Sequence, residues 1–226
     1  MNRLKKSPAA KLITLAAVLL LLVVGQSLAT DDKQDQTVKG RIELLEAQVE
    51  DLQELLEHFT KDGDDVYIEG ANLHVVNGLD ETGTKNGVGN IIIGYNEERT
   101  YTGSENFRTG SHMLVVGREH NYSSYGGIVV GLHNTASGEY ASVSGGASNE
   151  ASGENASVSG GAMNTASGSY ASVSGGITNK ADGPLASVSG GSGNTASGLY
   201  ASVSGGRSRS VGGTYDWRAG SLFETE

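Results

Sequence analysis

Apolar and polar positions follow three different rhythms along this chain. Between Val38 and Phe59 large apolar residues recur at Val38, Ile42, Leu45, Val49, Leu52, Leu56 and Phe59. Steps of four and three alternate, which is the a/d seam of a heptad repeat. The spacing predicts a coiled-coil helix over 38–61, a rod of about 33 Å from Val38 to Phe59 at 1.5 Å per residue. Ile42, Leu45, Val49, Leu52, Leu56 and Phe59 are its expected seam between copies. Ile or Val at a with Leu at d favours two strands, but Leu56 stands at an a position, so the helix alone leaves dimer and trimer open. The competing reading is an amphipathic helix packed on its own chain.

From residue 134 a period of two appears inside a period of 15. The hexapeptide Ala-Ser-Val-Ser-Gly-Gly begins at Ala141, Ala156, Ala171, Ala186 and Ala201, and Asn-Thr-Ala-Ser-Gly or a variant begins at Asn134, Asn149, Asn164, Asn179 and Asn194. A unit this short and rich in Gly and Ser cannot be a helix pair. It predicts one coil of a mainly β, parallel solenoid, stacked on the next at about 4.8 Å. Alternation puts Ala141, Val143 and Gly145 inward and Ser142 and Ser144 outward. The expected core column is Val143, Val158, Val173, Val188 and Val203, continued upstream by Ile128 and Val130. Gly138, Gly145 and Gly146, repeated in each period, mark the turns. The five asparagines should form a ladder in which each side chain bonds the next.

The third rhythm is looser. Ile91-Ile92-Ile93-Gly94, Leu114-Val115-Val116-Gly117 and Ile128-Val129-Val130-Gly131 align with Val143-Ser144-Gly145-Gly146 as three more apolar coils suited to one end of a stack. Residues 97–108 read as an inserted surface loop. Val66–Glu69 and Leu73–Val76 read as entry strands, and Tyr215, Trp217 and Phe223 as the aromatics of a closing cap. The expected organisation is a leader at 1–29, a linker at 30–37, the coiled coil at 38–61, degenerate coils and an N-terminal cap at 62–133, five regular coils at 134–206 and a C-terminal cap at 207–226.

Composition adds an address. Arg3, Lys5, Lys6 and Lys11 precede or open an apolar run from Leu12 to Val24, followed by Ser27-Leu28-Ala29. This is the order of a secretory signal peptide, shorter than the roughly 20 residues of a spanning helix. The mature chain is expected to begin near Thr30 and to be exported, to the extracellular space, cell surface or periplasm, with no transmembrane domain after cleavage. The absence of Cys excludes disulfide staples. The formal charge is −10, and removing the four leader cations takes it to −14, which argues against nucleic acid as a partner. With 34 Gly and 3 Phe, a thick hydrophobic interior is not available.

The residues 89–206 resemble the head domains of trimeric autotransporter adhesins, the YadA-like left-handed parallel β-roll. That family's strand motif, Asn-Ser-Val-Ala-Ile-Gly, is similar to Gly126-Gly127-Ile128-Val129-Val130-Gly131 and, less closely, to Ala141-Ser142-Val143-Ser144-Gly145-Gly146. The resemblance implies a homotrimer with head and stalk that adheres to a surface receptor or glycan. Here the coiled coil precedes the head, the regular coils are one residue longer than most of the family's, and Gly145 stands at the place of an inward Ile. The residues after Gly206 are expected to be a cap rather than the family's membrane anchor, whose strands need about 9–11 residues each.

Sites for chemistry are sparse. Asp62-Gly63-Asp64-Asp65 is expected to be a solvated turn, because Val66 breaks the ligand spacing of a calcium loop. His120 and His133 each immediately precede an Asn at the same turn of adjacent coils, and imidazoles stacked about 4.8 Å apart would be the one candidate metal pair. The expectation is a protein without catalytic residues or cofactor: an exported structural or adhesin-like module, self-associating as a homotrimer. The alternatives are an ice-binding or carbohydrate-binding solenoid that uses the Ser rows, and a trimerising scaffold for a separate catalytic or adhesive partner.

Overall fold

A helix, α1, spans Asp32–Leu55, and a hairpin of Phe59–Asp62 with Asp65–Ile68 follows it. They belong to the first of two compact units of the computed structural model, which part between His74 and Val75. The structure describes residues 32–101, 104–220 and 222–224, so the leader at 1–29 and the start of the linker lie outside the described residues. The helix begins inside the expected linker and ends six residues before the expected boundary at 61. Phe59, assigned to the heptad seam, is instead the first residue of a strand and pairs with Ile68. Local chemistry explains the early stop. Gly63, with φ of 61°, supplies the turn between Asp62 and Asp65, and the flanking Phe59, Thr60, Val66, Tyr67 and Ile68 favour strand over helix. The entry strand read at Val66–Glu69 is therefore one arm of this hairpin, and no strand forms at Leu73–Val76.

The second unit is a parallel β-solenoid of about seven turns with mostly 15-residue coils. Ten strands form one sheet: Ile91–Ile93, Leu114–Arg118 and Ile128–Leu132, then the four Ser-Val pairs from Ser142 to Val188, Ser202–Gly205, Trp217–Ala219 and Leu222–Glu224. A second sheet of seven short strands runs from Asn121–Tyr122 to Ser210–Val211. Isolated parallel bridges at Leu132, Ala147, Ala162, Ile177, Ser192 and Arg207 join the coils at the corner between them. Each regular coil donates backbone N–H groups straight to the next, as in Ser142 to Ala156 O at 2.9 Å, Ala147 to Gly161 O at 3.0 Å and Ser152 to Ala166 O at 2.9 Å. The stack thus pairs its peptide groups between coils rather than within them.

The interior is narrow. Ala141, Val143, Asn149 and Ala151, with their equivalents every 15 residues, are at most 1% exposed. One Val per coil gives about 1.5–3 kcal/mol of burial, so neighbouring coils must supply the rest of one another's stability.

The upstream register differs from the expected one. Ile128 pairs with Ser142 and Val129 with Val143, so the core position belongs to Val129, which is fully buried. Ile128 and Val130 lie on the outer side, with Ile128 37% exposed. Leu114 pairs with Ile128 and Ile128 with Ser142, 14 residues apart each time, whereas Leu132 bridges to Ala147, 15 residues on. The extra residue enters between Val143 and Ala147. Counting back from the aligned glycines without it shifts the pattern by one, and a one-residue shift exchanges the two faces of a strand. Gly145 is consequently no substitute for an inward Ile: at its equivalents Gly160, Gly175 and Gly190, an added Cβ would meet nothing within 4 Å.

At the C-terminal end Trp217–Ala219 continues the parallel sheet, with Val203 paired to Arg218. Leu222–Glu224 then folds back antiparallel on it. The inner columns end in Asp216 and Arg218 where other coils carry Ala and Val, so a polar rung terminates the apolar stack.

Candidate binding surfaces of the solenoid

The ladder asparagines sit at the inner side of the corner that follows each Gly-Gly turn. They do not bond one another's side chains. Asn164 Oδ1 accepts the backbone N–H of Asn179 at 3.0 Å, while Asn164 Nδ2 donates to Gly160 O in its own coil and Gly176 O in the next, both at 3.0 Å. The same three bonds recur at Asn149, Asn179 and Asn194. An amide is suited to this place because it carries an acceptor and two donors on one short stem, which meet one N–H and two carbonyl oxygens of the corner backbone. Gly146 and its equivalents hold φ near 80–104° beside it, where an added Cβ would strike the next coil.

The two histidines are not a pair. His120 is in register with Asn134, not with His133, and occupies the rung position of its 14-residue coil: Asn134 N–H donates to His120 Nδ1 at 3.2 Å and His120 Nε2 contacts Val116 O at 3.0 Å. It is 2% exposed. Burial holds its imidazole below the ordinary value, despite the hydrogen bonds to backbone that act the other way. His133 is one position off the ladder, at a residue with φ of 58°, and its Nε2 contacts the Glu119 carboxylate. Two histidines in different registers give no shared coordination point. Among the described residues no group of three or more His, Cys, Asp or Glu is placed to hold a metal ion.

The insertion at 97–108 is tied to the corner through Arg99. Its guanidinium donates to Glu119 O at 2.9 Å, His133 O at 2.7 Å, Asn134 O at 3.0 Å and Thr135 Oγ1 at 3.0 Å, bracing two coils. Arg108 closes the loop on Asn96 O and Glu98.

Outward, the first sheet changes character along its length. The upstream coils present Ile91, Ile93, Leu114, Val116, Ile128 and Val130, and the regular coils present Ser pairs instead. A second surface went unread in the sequence: Tyr140, Tyr170, Tyr200 and Tyr215, each with φ between 56° and 62°, are exposed in one corner column, with Asn155 and Leu185 in the coils between. Tyr200 and Tyr215 stack with ring centroids 4.8 Å apart and 6° between planes, and Tyr125 meets Tyr140 edge to face at 5.2 Å. The signal was present as a Tyr immediately before Ala141, Ala171 and Ala201. A hydrogen bond to Glu139 pushes the Tyr125 hydroxyl up to about 12.

In comparisons with protein-family models, curated proteins and solved structures, nothing matches the chain. The class defined here is therefore that of the fold alone, a parallel β-solenoid. Among the described residues no helix is long and apolar enough to cross a membrane.

Proposed function

We propose that this chain is an exported, non-enzymatic structural or adhesin-like module, a homotrimer whose β-solenoid is wound as a left-handed β-roll and whose helix joins the copies as a coiled coil. The observation that carries the reading is the strict register of the stack. From Ser142 to Val203 each coil puts its Ser-Val pair directly over that of the last, which makes a repetitive surface. Self-association is supported by apolar residues without cover on their own chain: Leu45, Leu52 and Leu56 on the heptad seam are between 37% and 51% exposed. The outward Ile91, Ile93 and Ile128 of the upstream coils add to this. Export rests on the leader composition.

The mass of the secreted protein by light scattering tests the assembly. Three chains per particle are expected, and Leu45→Asp with Leu52→Asp should dissociate them while the β spectrum of the solenoid persists, since buried unpaired charge is costly. A wild-type monomer, or an unchanged oligomer in the double variant, refutes the helix as the joint. The Tyr column favours a second reading of the same surface, carbohydrate binding. Aromatic rings with exposed edges and nearby hydroxyls suit sugars, and loss of retention on a polysaccharide resin in Tyr170→Ala and Tyr200→Ala would support it.

A further inference from the structure

From Asn134 to Asn194 the rungs of the ladder are amides, which do not titrate, and the rung before them is His120. Asn134, Asn149, Asn164, Asn179 and Asn194 all accept the next rung's backbone N–H and donate to the carbonyl four residues earlier. His120 reproduces this pattern with an imidazole: Nδ1 takes the Asn134 N–H, and Nε2 bonds Val116 O, again four residues earlier. The arrangement fixes the neutral ring with its hydrogen on Nε2, because Nδ1 must keep a free lone pair.

We propose that His120 is a proton-operated latch, whose protonation in mild acid opens the packing of the N-terminal coils while the asparagine-runged coils stay closed. A proton on Nδ1 would point at the Asn134 N–H, donor against donor, and would place a positive charge at a site 2% exposed to water. The charged groups around the ring do not offset it. Arg99, lying across the same corner, is itself a cation. The Glu119 carboxylate beside it is already engaged by Arg118 at 2.6 Å and by His133.

The direction of the pH effect follows. Burial first, and the charge of Arg99 in addition, keep the folded His120 below its ordinary value, so the opened state takes up the proton first. Stability supplied by the neutral ring is fully present above about pH 6.5 and is lost as pH falls from there towards the folded value. Within that window the opening equilibrium rises by up to about tenfold per pH unit.

Native-state amide hydrogen exchange of the intact protein between pH 7.5 and 5.5, corrected for the intrinsic pH dependence of exchange, reads this directly. Protection at 110–136 should fall by up to about tenfold per unit below pH 6.5, with that at 149–211 unchanged. His120→Asn, which installs the rung used by the other coils, should abolish the slope, and His133→Asn should keep it. A slope that persists in His120→Asn, or no slope in the wild type, overturns the latch. Should His120→Asn not fold, the wild-type imidazole is titrated by NMR: a folded value at or above the ordinary one overturns the proposal, and a depressed value with coincident loss of protection at 110–136 supports it.

Discussion

Asn164→Ala isolates the ladder in the middle of the regular coils, where both neighbours are full coils. The change removes three hydrogen bonds. Gly176 O keeps the N–H of Ala162 at 3.0 Å, so its loss, like that at Gly160 O, is about 1 kcal/mol. The Asn179 N–H is different, because Asn179 is fully buried and its donor bonds the Asn164 Oδ1 that the change removes. A stranded buried donor costs about 1–3 kcal/mol, which brings the expected destabilisation to about 3–5 kcal/mol. Urea unfolding followed by circular dichroism measures it, with Met163→Ala as the control. Met163 adjoins the rung but is 52% exposed, so its truncation should stay within about 0.5 kcal/mol. If Asn164→Ala costs no more than the control, the ladder bonds do not hold the coils together.

Three further outcomes are expected. Gly168→Ala should destabilise by at least about 3 kcal/mol in urea unfolding, because its Cβ would lie 2.0 Å from Gly183 O, whereas Gly175→Ala, with nothing within 4 Å, should change the midpoint little. Thr178 carries a β-branched side chain at φ of 57°, where the next coil has Gly193, so Thr178→Asn should raise stability by about 1 kcal/mol; a decrease in the melting temperature would contradict it. Deleting residues 149–163 joins Ser148 to Asn164 and restores the Ser142 to Ser172 register, so that protein should stay folded by circular dichroism. Deleting eight residues should not leave it folded, and equal damage from both deletions would refute the stacked register.

The repeat made the solenoid legible because its period, its turn glycines and its one inward Val per coil are all local in sequence. The same holds for the identity of the rungs, since only a stack puts five asparagines at intervals of 15 to a common use. What the asparagines bond was not legible. Their partners are backbone groups four, 12 and 15 residues away, and corner geometry chose these over neighbouring side chains. The face of Ile128 and Val130 was decided by a single extra residue per coil, whose place in the turn no periodicity reveals. His120 and His133 looked alike beside their turns. The stack separated them by one position, burying one ring in the ladder and leaving the other at the corner against Glu119, because register between coils, not adjacency along the chain, determines which side chains face the interior.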